Sequence, residues 1–226
     1  MLKKPLNIFL LLMAVIILII YMSGYNYLFK GIRLTYLKGE SSSTIADGTY
    51  FPSHIISKGN PKPWPADINY NKKPLSQELE KHLKDTESVS FLVIQHGKLL
   101  QEHYWDHYKR STASNSFSMA KTVTVLLLGK AIDDGRIMNV NQKFTDFYPE
   151  FSEKEFGSQL TLQHLASMEA GLDWKENYKN PFGPNAASYY GFALADVVFQ
   201  KKFKQNPGEK FEYQSGATQL LGFAVG

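Results

Sequence analysis

The sequence predicts an α/β chain of the α+β kind, with several helices and an antiparallel hairpin behind an apolar N-terminal helix. Three observations predict it. An unbroken apolar run occupies the N-terminus, helical periodicity switches once to alternation near residue 89, and a long apolar helix follows directly. The apolar and turn-forming content is ordinary for a globular protein, with 43% hydrophobic residues and 16 glycines among 226 residues.

Lys3 and Lys4 precede an apolar run from Ile8 to Met22, prolonged by Tyr25, Tyr27, Leu28 and Phe29. That length matches the ~20 residues a helix needs to cross a bilayer, and Tyr21, Tyr25 and Tyr27 stand where an aromatic belt belongs. A cleavable signal peptide is the competing reading. Ser23-Gly24 is the only small pair and no Ala-x-Ala-like site occurs, which favours an uncleaved signal anchor over residues 1–30. The two leading lysines place the N-terminus inside and the domain outside the cytoplasm (periplasmic, single-pass). Lys30, Arg33 and Lys38 reduce that charge asymmetry.

Residues 31–73 read as a connecting arm. Ser41-Ser42-Ser43, Gly59-Asn60-Pro61, Pro63 and Pro65 are turn and linker residues without a period. Leu75, Leu79 and Leu83 then recur at four-residue spacing, a short amphipathic helix that opens a domain over 74–226. Val89, Phe91 and Val93 alternate, His96-Gly97 makes a turn, and Leu99 to Trp105 returns, which is a hairpin. Phe117 to Asp134 is the strongest helix; Leu126, Leu127, Leu128, Ala131 and Ile132 predict that it is mostly buried, and Gly135 closes it. Further helices are expected over Thr161–Met168 and Ala186–Gln200. A Pro207-Gly208 turn, an extended stretch from Lys210 to Tyr213, and a last helix from Ala217 complete the pattern.

Charge excludes one class of function. Lys+Arg 25 against Asp+Glu 21 leaves a net charge of +4, and the bases are scattered rather than gathered on one element. A nucleic-acid binder would concentrate them. No cysteine occurs, which removes disulfides, thiolate metal sites and a thiol nucleophile together.

Ser118-Met119-Ala120-Lys121 is the only Ser-x-x-Lys in the chain. Residues three apart share a helix face, so hydroxyl and amine can meet. A helix N-terminus offers free backbone N–H groups to an oxyanion, and a desolvated amine can take a serine proton. Tyr213 falls in a break between elements, where a phenol can serve as a second base or proton shuttle. Alone, each motif is weak; a buried structural tyrosine is the ordinary reading of Tyr213.

The joint pattern resembles the β-lactamase-related serine hydrolases. It comprises Phe91–Gly97, Ser116–Lys121, Asp134-Gly135-Arg136-Ile137, Leu160–Ser167 with Gly171-Leu172, and Pro207–Gly216, in that order. That family includes class C β-lactamases, DD-peptidases, esterases and 6-aminohexanoate-oligomer hydrolases. The resemblance implies a β-lactamase/transpeptidase-like fold, a helical cluster beside an antiparallel sheet. It implies Ser118 as acylated nucleophile, Lys121 as base, Tyr213 as assisting phenol and Ser215 as a substrate-binding residue. No metal or organic cofactor is implied. The partner implied is a small-molecule or peptide-like acyl substrate; the membrane is a partner through the N-terminal apolar run, and the scattered charge leaves no nucleic acid. Where the family usually has Tyr-x-Asn, this chain has Tyr213-Gln214-Ser215, which resembles the esterase and oligomer-hydrolase branches more than true β-lactamases. The family's third motif, a Lys- or His-containing triad ending in glycine, lies further on. The sequence therefore reads as the N-terminal portion of such a domain, expected to be inactive by itself.

Other readings compete less well. No Gly-x-Ser-x-Gly elbow occurs for a Ser-His-Asp hydrolase. His164 is expected to be structural. His103 and His107, four apart on a strand, would sit ~13 Å from each other, too far for one ion. A membrane-tethered sensor that is acylated without turnover is the non-enzyme alternative, and Ser118, Lys121 and Tyr213 together argue against it.

Overall fold

The computed structural model describes residues 3–57 and 59–226, and elements form largely where periodicity places them. The apolar run becomes α1 (Lys3–Met22), long and apolar enough to cross a membrane by length and composition. Ser23 to Asn26 lead into α2 (Tyr27–Leu34), which packs on a later helix, α6 (Pro184–Tyr190). Gly31 permits this approach: a Cβ there would already touch the Tyr190 ring at 3.4 Å. Tyr25 adds an edge-on contact with Phe182, centroids 5.4 Å apart.

The chain divides into two compact units, residues 45–115 and residues 1–44 with 116–226. Residues 31–34 belong to α2, and residues between 65 and 73 hydrogen-bond to the hairpin.

In the smaller unit, α3 (Gln77–Asp85) starts at Ser76, whose hydroxyl accepts from Leu79 N–H at 3.2 Å, a helix cap. β1 (Ser90–Gln95) and β2 (Lys98–Tyr104) form a two-stranded antiparallel sheet with a bulge between Val93 and Ile94. His96 and Gly97 both have positive φ (50° and 72°), the backbone a tight two-residue hairpin turn requires. The outer edge of β2 is covered by the preceding chain. Leu99 N–H donates to Pro65 O, Asp67 N–H to Leu99 O and Asn71 N–H to Leu100 O, each at 2.9 Å, and covering an edge removes a template for aggregation. Glu102, buried on β2, accepts from Arg110, Tyr104 (2.6 Å) and Tyr70 (2.9 Å). Arg110 first, then the two phenols, hold its carboxyl down to about 2. His103 pairs with Gln101 at 2.6 Å on the same strand.

The larger unit carries the core. Phe144, Phe151, Leu160, Leu162, Leu165, Leu172, Trp174, Val198, Leu220 and Leu221 are fully buried. They come from α5 (Leu162–Ala166), α7 (Leu194–Phe199), α8 (Ser215–Val225), the short 3-10 turns that precede α5, and the chain between the helices. The long helix α4 (Met119–Asp133) departs from expectation. Only Leu128 is buried, while Val123 is 56% and Leu126 67% exposed, and Ala131 and Ile132 are half-buried. Its apolar residues run round the helix, and α8 packs on one side of it.

One other expectation is corrected. The helix expected over Ala186–Gln200 is two, α6 and α7, broken at Gly191, which adopts extended backbone (φ −72°, ψ 176°). The stretch Lys210–Tyr213 is non-helical and forms no strand pairing among the described residues.

Candidate active site

Three segments of the larger unit converge at the site: the start of α4, the turn into α8, and the stretch Trp174–Tyr178. Phe117, just before Ser118, sits in the left-handed region at φ 44°. A non-glycine residue there costs roughly 1–2 kcal/mol, and its ring stacks on Tyr189 at 6.2 Å. The chain thereby turns sharply into α4 with Ser118 at its mouth.

Ser118 occupies the N-cap position, yet its side chain makes no capping bond. A capping serine would bond the N–H of the second or third helical residue. Instead its Oγ accepts from the Tyr213 hydroxyl at 2.8 Å. Among the described residues no protein acceptor pairs with the Ser118 N–H, as is usual for the first N–H groups at a helix N-terminus. Lys121 stands one turn on, its Nζ 5.3 Å from the Tyr213 ring centroid. It donates to Ser215 Oγ at 3.0 Å. The structure thus brings Ser118, Lys121, Tyr213 and Ser215 together, paired as Tyr213–Ser118 and Lys121–Ser215; no Ser118–Lys121 hydrogen bond forms.

One residue that sequence reasoning missed organises this group. Glu176 accepts five hydrogen bonds: from Ser215 Oγ (2.6 Å), Ser215 N–H (2.9 Å), Tyr178 OH (2.6 Å), Asn185 Nδ2 (2.7 Å) and the Trp174 indole N–H (2.8 Å). Burial pushes its carboxyl up, but the bonds from Ser215, Tyr178 and Asn185 prevail and hold it below the usual carboxylate range. Tyr178 is pushed up to about 12 by burial and by its bond to Glu176. Trp174 is 1% exposed and packs on Gly216, which leaves Glu176 little freedom.

An open cleft of about 520 Å³ adjoins the serine, lined by Ser118, Lys121, Leu126, Met168, Tyr213 and Leu221 among others. Ser118, Lys121, Thr122, Tyr213 and Thr218 bring polar groups to a lining whose other residues are apolar. His164, expected to be structural, caps α5: its Nδ1 accepts from Thr161 N–H at 3.3 Å while Thr161 Oγ1 accepts from His164 N–H at 3.2 Å. Burial lowers its pKa.

Residues 76–226 match the family model described as Beta-lactamase. The chain belongs to the beta-lactamase family. Within it, a 104-residue stretch is 29% identical to the 6-aminohexanoate-dimer hydrolase of Paenarthrobacter ureafaciens, covering 46% of this chain and 26% of that protein. A solved Bacillus anthracis structure, provisionally named a 6-aminohexanoate-dimer hydrolase, superposes with a TM-score of 0.58 at 21% identity. The match covers 73% of this chain and 48% of that one, so the chain spans under half the length of the relatives it matches. The mixed helix and sheet of the chain are accordingly those of a beta-lactamase-like fold.

Proposed function

We propose that this beta-lactamase-family chain carries the nucleophile-bearing part of a membrane-anchored serine hydrolase. It acts through an acyl-enzyme on an ester or linear amide carbonyl in preference to a β-lactam. Ser118 is the nucleophile, Lys121 its base and Tyr213 the assisting phenol. The observation that carries the reading is the 2.8 Å bond between Tyr213 OH and a Ser118 hydroxyl that does not cap its helix, with Lys121 one helical turn on from Ser118 and its Nζ 5.3 Å from the Tyr213 ring centroid.

In the first step Ser118 Oγ attacks the carbonyl carbon, and the Ser118 proton passes to the Lys121 amine. Charge gathers on the carbonyl oxygen, and the Ser118 N–H, which no protein acceptor occupies among the described residues, is the donor proposed to stabilise it. Tyr213 delivers a proton to the departing alcohol or amine as the tetrahedral intermediate collapses, and the Lys121 ammonium restores that proton to Tyr213. Water then attacks the acyl-enzyme and gives a proton to Lys121, which passes it to Ser118 Oγ as the carboxylic acid leaves. The preference for linear substrates draws on Ser215 at the position after Gln214 and on the name of the similar proteins, 6-aminohexanoate-dimer hydrolase. Membrane anchoring draws on α1, whose span Pro5–Met22 buries nothing within the protein.

The test is covalent labelling of full-length protein with a fluorophosphonate, followed by digestion and mass location of the adduct. The adduct is expected on Ser118 and is lost in Ser118→Ala. Labelling on Ser114, Ser116 or Ser215, or labelling that survives Ser118→Ala, overturns the assignment. An acyl group retained for hours with true carboxylic substrates would mark an acylated sensor in place of a turnover enzyme.

A further inference from the structure

We infer that Glu176 is a positioning residue of this site: its carboxylate holds the Ser215 hydroxyl as an acceptor toward Lys121, which keeps the amine lone pair free for the Ser118 proton. The inference rests on the reading of Ser118 as nucleophile and Lys121 as base.

A serine hydroxyl has one hydrogen and can point it at either of two neighbours. For Ser215 these are Glu176 Oε1 at 2.6 Å and Lys121 Nζ at 3.0 Å. A hydrogen aimed at Lys121 would occupy the only lone pair of the neutral amine. That lone pair is the one that must receive a proton from Ser118. Three features send the hydrogen to Glu176 instead. The acceptor is ionised, and charge-assisted bonds are roughly twice as strong as neutral ones. The contact is the shorter of the two. The other carboxylate oxygen, Oε2, takes the backbone N–H of Ser215 at 2.9 Å, so both donors of one residue are clamped by one carboxylate. Lys121 can then only donate to Ser215 Oγ.

The carboxylate is built for this task. Its other partners, Trp174, Tyr178 and Asn185, are all donors, and none brings a positive charge that would neutralise it. A glutamine would offer one oxygen to the five donors that now share two, so both the charge and the clamp depend on an ionised glutamate. Through Ser215, the negative charge also stands no more than two hydrogen bonds from Lys121.

The experiment measures fluorophosphonate labelling rates of full-length protein between pH 5 and 10, in Glu176→Gln, Ser215→Ala and the double variant. Melting curves confirm that each is folded. Glu176→Gln is expected to label roughly 10–100-fold more slowly on its plateau, the range of a misplaced general base. Its acid limb should also move about one unit toward lower pH, because protonation of the site no longer gains from a neighbouring negative charge. A loss of packing alone would lower the rate and leave that limb where it was. Ser215→Ala removes one hydroxyl and keeps Glu176, so it tests the same link should Glu176→Gln fail to fold. It is expected to show a similar rate loss, and adding Glu176→Gln to it should cost less than about 3-fold more, since Glu176 acts through Ser215. Ser118- and Lys121-dependent labelling that is unchanged in Glu176→Gln, or two losses that multiply in the double variant, overturns this inference alone. Labelling of the parent that does not depend on Ser118 and Lys121 overturns the proposed function and this inference with it.

Discussion

Gly216→Ala should damage both the fold and the site, and the structure sets how much. The added Cβ would lie 2.4 Å from Trp174 Cε3, 2.8 Å from Cδ2 and 2.9 Å from Cζ3. Ordinary carbon contacts begin near ~3.5 Å, so the indole must retreat by about 1 Å. It has nowhere to go, being 1% exposed. Overpacking of this kind costs ~1–3 kcal/mol. Displacing the indole also strains its 2.8 Å bond to Glu176, worth ~1.5–3 kcal/mol when the acceptor is charged. A loss of about 2–4 kcal/mol lowers the melting temperature of a chain this size by about 5–15 °C. Gly222→Ala, in the same helix, is the internal control. Its Cβ meets nothing within 4 Å, and replacing a mid-helix glycine should stabilise by ~0.5–1 kcal/mol. Calorimetric melts of both variants decide the matter, with the Ser118 labelling rate measured alongside. A Gly216→Ala protein that melts within about 2 °C of the parent, or a Gly222→Ala protein that is the less stable of the two, would refute the packing read from these contacts.

Lys121→Arg keeps a cation but offers no base, so Ser118 labelling should fall by ~10²–10⁴; near-parental rates would show that positive charge alone suffices. Glu102 gives an acid-sensitive element. Its carboxyl is held down to about 2 in the fold, so its contribution is complete above the unfolded value near ~4.5 and is lost as pH falls toward the folded one. Because Arg110 is largely exposed, that contribution is about 1–2 kcal/mol. Urea unfolding at pH 6 and pH 3 should show Glu102→Gln losing less stability on acidification than the parent, and equal losses would remove Glu102 from the account. Alkaline phosphatase fused after Lys38 should be active if α1 leads the chain out of the cytoplasm, and an inactive fusion reverses the topology.

The hairpin was legible because its two signals are local: a period of two on either side of His96-Gly97, and a turn that needs two left-handed residues. The start of α4 and the grouping of Ser118 with Lys121 were legible for the same reason. Tyr213 was reachable only through the wider family resemblance, since nothing around it fixes its direction. Burial of α4 was misread because an apolar run such as Val123 to Leu128 says that faces want cover, not which face receives it. Glu176 left no trace at all. It lies in an aperiodic stretch, and its importance arises from Ser215, 39 residues later. Its link to the site runs through that one distant residue, while Trp174, Tyr178 and Asn185 lie within nine positions in a stretch without a period, so no spacing marks it. The break at Gly191 was likewise hidden, because a single glycine is tolerated inside many helices.

The short passage from α1 to α2 has a mechanical consequence. Only Ser23 to Asn26 separate the two helices, and three of them are already tied back, Ser23 N–H to Ile19 O at 2.9 Å, Gly24 N–H to Tyr21 O at 3.3 Å and Tyr25 N–H to Ile20 O at 3.1 Å. Fully extended, four residues reach ~14 Å, and here they are not extended. With α2 seated against α6, the unit that holds Ser118 has no leash. Given α1 embedded as proposed, the cleft patrols a thin shell above the lipid and diffuses with the bilayer in two dimensions. Compounds that partition at the surface would meet it often, and large soluble polymers seldom would.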